Sequence, residues 1–320
     1  MAVLARGSIA RFWGLVLVLA TLSTAVLSLD TTAVLLTPVV LTLATQLGLD
    51  RAMFAYTTVW LANTASLVLP VSNLTNLLAL QVLRLDVPAF AQLMWPAATA
   101  SILVTVAALA VVFRRSLRGR YTRTHANPAQ DRPLLILAVA VCVLIGPVFA
   151  AGVDVTTTSA VAALVLVLGC LVRAPLLLSW RLMPWQLILG VSVLLVVVQT
   201  AQDHGLGELL SRAAGTGTGW PDLLRLAGIA TLGANAVDNL PTYLAMEPVA
   251  AGNPIRMAAL LIGVNAGPLV TPWASLATLL WANRCRAAGV PVTWRTFTLR
   301  GLIVVPILLT ACTGALFITS

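Results

Sequence analysis

The feature that most constrains this chain is a polar, proline-broken apolar segment that occurs twice. An offset of 202 positions superposes Asn63 on Asn265, Leu67 on Leu269, Val68 on Val270, Pro70 on Pro272, Leu74 on Leu276 and Leu77 on Leu279. A proline halfway along such a segment interrupts the helix and frees backbone N–H and C=O groups. In a bilayer these are tolerated only where protein or a water-lined cavity satisfies them. Each segment is preceded by a second polar interruption, Leu29-Asp30-Thr31-Thr32 in the first half and Asn235 to Asn239 in the second. The chain therefore reads as one structural unit used twice.

Composition decides the solvent. With 60% hydrophobic and 9% charged residues there is too little polar surface to coat a water-soluble core, so the chain is read as an integral membrane protein. Long apolar runs without strand alternation point to helices rather than a barrel. The basic residues are all Arg, 19 in number against 10 acids. Short Arg-bearing loops set membrane orientation, so nucleic acid is not invoked. The four cysteines, Cys142, Cys170, Cys285 and Cys312, stand far apart and read as buried thiols.

The expected fold is all-α, with two inverted repeats, each holding a re-entrant hairpin and a broken helix. Residues 1–113 form the first repeat, with a hairpin at 12–48, a broken helix at 53–80 and a helix at 93–113. Residues 114–132 form a basic cytoplasmic linker. Residues 133–320 form the second repeat, with its hairpin at 222–250 and broken helix at 256–281. Placing the linker inside puts all but Arg84, Arg212, Arg225 and Arg256 on the cytoplasmic side. Three spans precede the second hairpin and none precedes the first, so the first repeat is expected to be N-terminally incomplete.

Polar groups in a bilayer are costly unless paired, so their concentration at two tips and two breaks marks a solute site. The candidates are Asp30, Thr31, Thr32, Asn63, Ser72, Asn73, Thr75 and Asn76 from the first half, and Asn235, Asp238, Asn239, Asn265, Thr271, Ser275 and Thr278 from the second. The alternative reading of Asp30 and of Asp238-Asn239 is helix N-capping, which is compatible with transport. Glu247 lies nine residues beyond Asp238, and Asp154 reads as an exposed cap.

Leu29 to Pro38, Asn63 to Ser66, Val71 to Asn76, Asp238 to Pro241 and Gly263 to Trp281 together resemble the arsenical pump membrane protein (arsenite permease) family of the ion transporter superfamily. The resemblance covers essentially the whole chain. It implies an inverted-repeat ion-transporter fold in the cell membrane and export of arsenite or antimonite in exchange for protons. The partners it implies are those solutes, protons or sodium, the lipid bilayer, an arsenite-stimulated ATPase subunit in some members, and a second copy of the chain. It calls for no cofactor, no metal and no enzymatic activity. The family tip usually reads Asn-Asp-Gly where Leu29-Asp30-Thr31 stands, and an Asn pair is usual where Asp238-Asn239 stands. Asp30 is the expected proton carrier and Asp238 its weaker counterpart. The runner-up in the same class is a sodium- or proton-coupled anion symporter of the dicarboxylate type. A reading of another class is a fragment competent only with a partner subunit.

Overall fold

The computed structural model describes residues 5, 7–121, 132–150, 153–175 and 185–320, and among these it is helical throughout, without a strand. Helix α1 (Ile9–Leu27) starts at Ser8, whose hydroxyl accepts from the Arg11 amide, and it ends at Ser28 in a left-handed conformation, φ 121°. The chain then turns back through α2 (Leu29–Thr31), a π-helical turn (Thr32–Leu36) and α3 (Thr37–Gln46). These run together as one helix, Leu29–Gln46, so the expected hairpin has arms of 19 and 18 residues. By length and composition each arm suffices to cross a membrane.

Helix α4 (Arg51–Thr64) is capped by Asp50, whose carboxylate accepts from the Ala52 and Met53 amides. Two 3₁₀ turns, Ala65–Leu67 and Pro70–Ser72, separate it from α5 (Leu74–Leu83). Pro70 cannot donate to a helical ladder, and the interruption falls around it as the sequence implied. Helix α6 (Val87–Val112) begins two residues past Leu85, earlier than expected, because Asp86 caps it through the Ala89 amide.

Of the linker, residues 122–131 lie outside the described residues, and with them Arg123. Its first part folds back on the N-terminus, with the Tyr121 amide donating to the Gly7 carbonyl and Ser116 Oγ donating to Asp50. The expected spans follow as α7 (Arg132–Ala150), α8 (Val155–Arg173) and α9 (Trp185–Asp203). Asp154 caps α8 as expected, and donation from the Thr157 amide and hydroxyl holds its carboxyl below the usual 3.8.

Helix α10 (Leu206–Ala214) lies between α9 and the second hairpin, where the sequence analysis assigns no element. Its Leu206, Leu209, Leu210 and Ala213 recur at helical spacing, and Glu208 pairs with Arg212 one turn on. Helices α11 (Trp220–Ala236) and α12 (Asn239–Ala250) form the second hairpin. Helix α13 (Pro254–Ala266) is capped by Asn253, and an irregular stretch leads to α14 (Leu276–Ala287) and then α15 (Trp294–Thr319). Only six residues, 288–293, link α14 and α15.

The packing crosses between halves. The first hairpin lies against α4 and also against α14, whereas the second lies against α11's partner helix α13 and also against α5. Each hairpin thus touches the first half of its own broken helix and the second half of the other. The long helices α6 and α15 pack against each other and brace this arrangement. Gly301 lets α15 approach the second break closely, since a Cβ there would overlap the Leu269 carbonyl. Thr298 Oγ1 donates to the Val270 carbonyl (2.7 Å) one turn earlier.

Aromatic rings fill the centre of one end. Tyr56 makes edge contacts with Trp60 and Trp281 and lies beside Phe113 and Phe297. The Arg300 guanidinium covers Tyr56 at 4.6 Å and Phe113 at 5.1 Å. The cysteines are distributed over α7, α8, α14 and α15, and all are free.

Candidate functional site

The two breaks are built alike. Asn73 (φ −152°, ψ 144°) and Ser275 (φ −148°, ψ 144°) are both extended, and each caps the helix that follows. Asn73 accepts from the Thr75 amide and Ser275 from the Thr278 amide. Both new helices therefore begin with N–H groups and a positive dipole end turned toward the interior of the fold.

The breaks meet at Asn265, the last polar residue of α13, which is 1% exposed. Its Oδ1 accepts from Thr75 Oγ1 (2.8 Å) and from Asn73 Nδ2 (2.9 Å), and its Nδ2 donates to Asn76 Oδ1 (2.7 Å). Asn76 Nδ2 in turn donates to the Ser66 and Leu69 carbonyls freed by the first break. Ser72 Oγ donates to the Ala25 carbonyl and fastens the break to the first hairpin. Ser72, Asn73, Thr75, Asn76 and Asn265 are thus one network, satisfied from within the protein.

The same contact on the other side is looser. Asn63, at the end of α4, donates from Nδ2 to the Val59 carbonyl (3.0 Å) and to Thr278 Oγ1 at 3.5 Å. Thr278 also shares a hydrogen bond with Ser275 Oγ. Asn63 Oδ1, however, is buried without a hydrogen-bond partner.

Asn235 is engaged by the second break. Its Nδ2 donates to the Thr231 and Gly267 carbonyls, and its Oδ1 accepts from the Val270 and Thr271 amides. Its own carbonyl accepts from Thr271 Oγ1 and Trp273 Nε1. It clamps the second break as Asn76 clamps the first.

Thr31 and Thr32 hold the first hairpin shut. Thr32 Oγ1 donates to Ser23 Oγ and accepts from Thr24 Oγ1, both at 2.9 Å. Thr31 Oγ1 donates to the Leu27 carbonyl and bonds with Ser28 Oγ, and it lines an apolar groove against α7. Ser23, Thr24 and Ser28 were missed in the sequence reading; the signal for Ser28 was a hydroxyl three residues ahead of Thr31. The N-cap of the first tip is Ser28, which accepts from the Thr31 amide, and not Asp30. At the second tip Asp238 is the cap, accepting from the Leu240 amide at 3.1 Å, with Asn239 buried beside it.

Asp30 is therefore released from capping. Its Oδ1 is buried without a partner. No ion pair to Asp30 or Asp238 exists among the described residues, where Arg212–Glu208 is the one salt bridge. On α4, Trp60 Nε1 is also buried and unpartnered, one turn before Asn63. Helix α2, which carries Asp30, packs against α4, which carries Trp60 and Asn63, and against α14.

Residues 1–278 match the family described as citrate transporter. Among curated proteins, the chain is 28% identical to an arsenical pump membrane protein of Escherichia coli K12, over 93% of this chain and 74% of that protein. An arsenical pump membrane protein of Yersinia enterocolitica is similar to the same degree over the same shares. A 46 kDa membrane protein of Mycobacterium leprae is 24% identical over 93% of this chain and 75% of its own. Five described helices are long and apolar enough to cross a membrane, in agreement with a multi-pass transporter. The chain is a membrane transporter and belongs to the citrate transporter family.

Proposed function

We propose that this transporter exports arsenite or antimonite across the cell membrane in exchange for protons, with Asp30 as the proton carrier. The observation that carries the reading is the buried Asp30 Oδ1, which is neither capping a helix nor paired with a cation. A carboxyl so placed can exchange a proton without dismantling local structure. Arsenous acid is a neutral trihydroxide at pH 7, so it needs hydroxyl and amide partners rather than Arg, and neither tip holds an Arg. The naming of the relatives as arsenical pump membrane proteins supports the same substrate.

In this reading the two halves are inverted repeats whose hairpins, 12–48 and 222–250, enter from opposite faces and meet at Asp30 and Asp238. Residues 1–113 and 133–320 are then the two units, joined by the basic linker 114–132 on the cytoplasmic side. An arsenite-stimulated ATPase and a second copy of the chain are further partners for assembly.

A second reading, proton- or sodium-coupled anion symport, is favoured by the family description as citrate transporter. The N-terminal ends of α5 and α14 would then hold carboxylates by their N–H groups. The deciding experiment uses everted membrane vesicles. Under an acid-inside gradient, which drives antiport, arsenite accumulates, and under an acid-outside or inward sodium gradient, which drives symport, citrate does not; with Asp30→Asn, gradient-driven arsenite accumulation vanishes while arsenite counterflow survives. Citrate accumulation without arsenite accumulation replaces the first reading by the second, and unimpaired gradient-driven uptake by Asp30→Asn removes Asp30 as carrier.

A further inference from the structure

We propose that Asn63 Oδ1 is the point at which the transported solute donates a hydroxyl hydrogen to the protein, and that Ala277 is the residue that keeps it open. The inference deepens the functional reading above and rests on it for the identity of the solute.

The argument starts from the 202-residue offset. It pairs Asn63 with Asn265, Asn73 with Ser275, Thr75 with Ala277 and Asn76 with Thr278. The contacts obey the same pairing: Asn265 Nδ2 donates to Asn76, and Asn63 Nδ2 donates to Thr278. The capping residues Asn73 and Ser275 share one backbone conformation. On the first of these two junctions, Asn265 Oδ1 is filled by Thr75 Oγ1 and by Asn73 Nδ2. On the second, the residues in those places are Ala277, which has no donor, and Ser275, whose hydroxyl is shared with Thr278. Asn63 Oδ1 is accordingly left without a partner at 1% residue exposure.

The amide cannot simply be turned around to relieve this. Nδ2 donates to the Val59 carbonyl, and reversing the amide would set oxygen against oxygen. A buried acceptor left without a donor costs free energy, and the sequence could have avoided the cost with a Thr at 277, as it does at 75. Retaining Ala there is explained if the donor arrives from outside. What fits is an O–H, since the hydroxyl of Thr75 fills the equivalent position at 2.8 Å. The solute is thus held on one junction only, and the other is a structural lock.

The test fills the acceptor from within. Ala277→Thr supplies the hydroxyl that Thr75 supplies on the other side, and Ala277→Val supplies the same bulk without it. Ala277→Ser gives the hydroxyl with the least added volume, should Thr and Val both fail to fold. Two readouts are taken on the full chain: thermal melting in detergent without solute, and arsenite uptake in everted vesicles. Ala277→Thr is expected to melt about 2 °C or more above Ala277→Val, and its arsenite KM to rise about tenfold above that of Ala277→Val, the loss of one hydrogen bond. Ala277→Ser should shift both readouts in the same directions relative to the wild type. Equal melting of the Thr and Val variants, or a Ser variant no more stable than wild type, overturns the proposal, because Oδ1 then has no need of a donor. Equal KM values for Thr and Val overturn it as well. If the wild-type chain takes up no arsenite, the export reading fails by itself. A melting gain for Thr over Val then still supports Asn63 Oδ1 as a hydroxyl acceptor for another hydroxylated solute.

Discussion

Replacing Asn265 by Ala should unfold the centre of this transporter far more readily than replacing its counterpart Asn63, although the two occupy matching positions. Asn265 makes three hydrogen bonds to three different side chains of the other half, all buried. Interhelical hydrogen bonds in membrane proteins are worth about 0.6 kcal/mol on average and up to about 1.7. Three of them give a loss of about 2 to 5 kcal/mol, before the Asn76 Oδ1 and Thr75 hydroxyl left behind are counted. Asn63 makes one bond to its own helix and one at 3.5 Å to the other half. Its removal also deletes a buried acceptor that has no partner, so the net cost should stay below about 1 kcal/mol. Activity should go the other way: Asn63→Ala folds but transports poorly at any arsenite concentration below saturation. Equilibrium unfolding in mixed detergent micelles measures the first effect, and vesicle uptake the second. Losses of stability equal within about 0.5 kcal/mol would refute the division into a lock and an open site.

Other outcomes follow from the same geometry. Asn235→Ala should cost stability rather than affinity, because the side chain holds the Gly267 carbonyl and the Val270 and Thr271 amides; a selective rise in KM with unchanged melting would contradict this. Gly301→Val should lower the melting temperature sharply, since its side chain must displace the Leu269 backbone carbonyl, and unchanged melting would show that α15 can move away. Replacing all four cysteines by Ser should leave arsenite uptake largely intact, as each thiol stands on a different helix; lost uptake at normal membrane levels would reinstate a thiol site. Asp154 has a lowered carboxyl pKa through the Thr157 donors, so its cap contributes stability above the unfolded value of 3.8 and loses it as pH falls through the folded value. The stability difference between wild type and Asp154→Ala should therefore be constant near neutrality and narrow below about pH 4.

Much of this arrangement was legible because a membrane leaves few choices. A proline in an apolar segment must end a helix, and the caps at Asn73 and Ser275 follow the breaks within a few residues. The hairpin turns were legible as polar interruptions, yet the cap weighed as an alternative at the first one, Asp30, is not the one the structure uses. Asp30 and Ser28 are both good caps by type, and only the left-handed backbone at Ser28 decides between them. Helix α10 was overlooked because its segment is rich in Gly and Thr at the edges, which masked a short amphipathic core.

What no single sequence reading could separate was polar residues that fasten the protein from those that remain for a solute. Both are buried amides and hydroxyls near a break, and both would be expensive if isolated in lipid. The distinction lies in partner counting. Asn76 and Asn235 spend their side chains on carbonyls and amides that the two prolines and glycines release, so the breaks carry their own repair. Asn265 spends its side chain joining the halves. What is left over is confined to Asp30, Trp60 and Asn63 on the first hairpin and α4, apart from a threonine on α8, among the described buried side chains. Two halves with the same backbone plan thus differ in chemistry at one junction, because Thr75 has a hydroxyl where Ala277 has none. A repeat whose two junctions were both closed would be stable and inert; one left open at both would lack the tie that Asn265 provides. In the proposed reading, a lock on one side and an acceptor on the other let the fold stay joined while a solute enters and leaves.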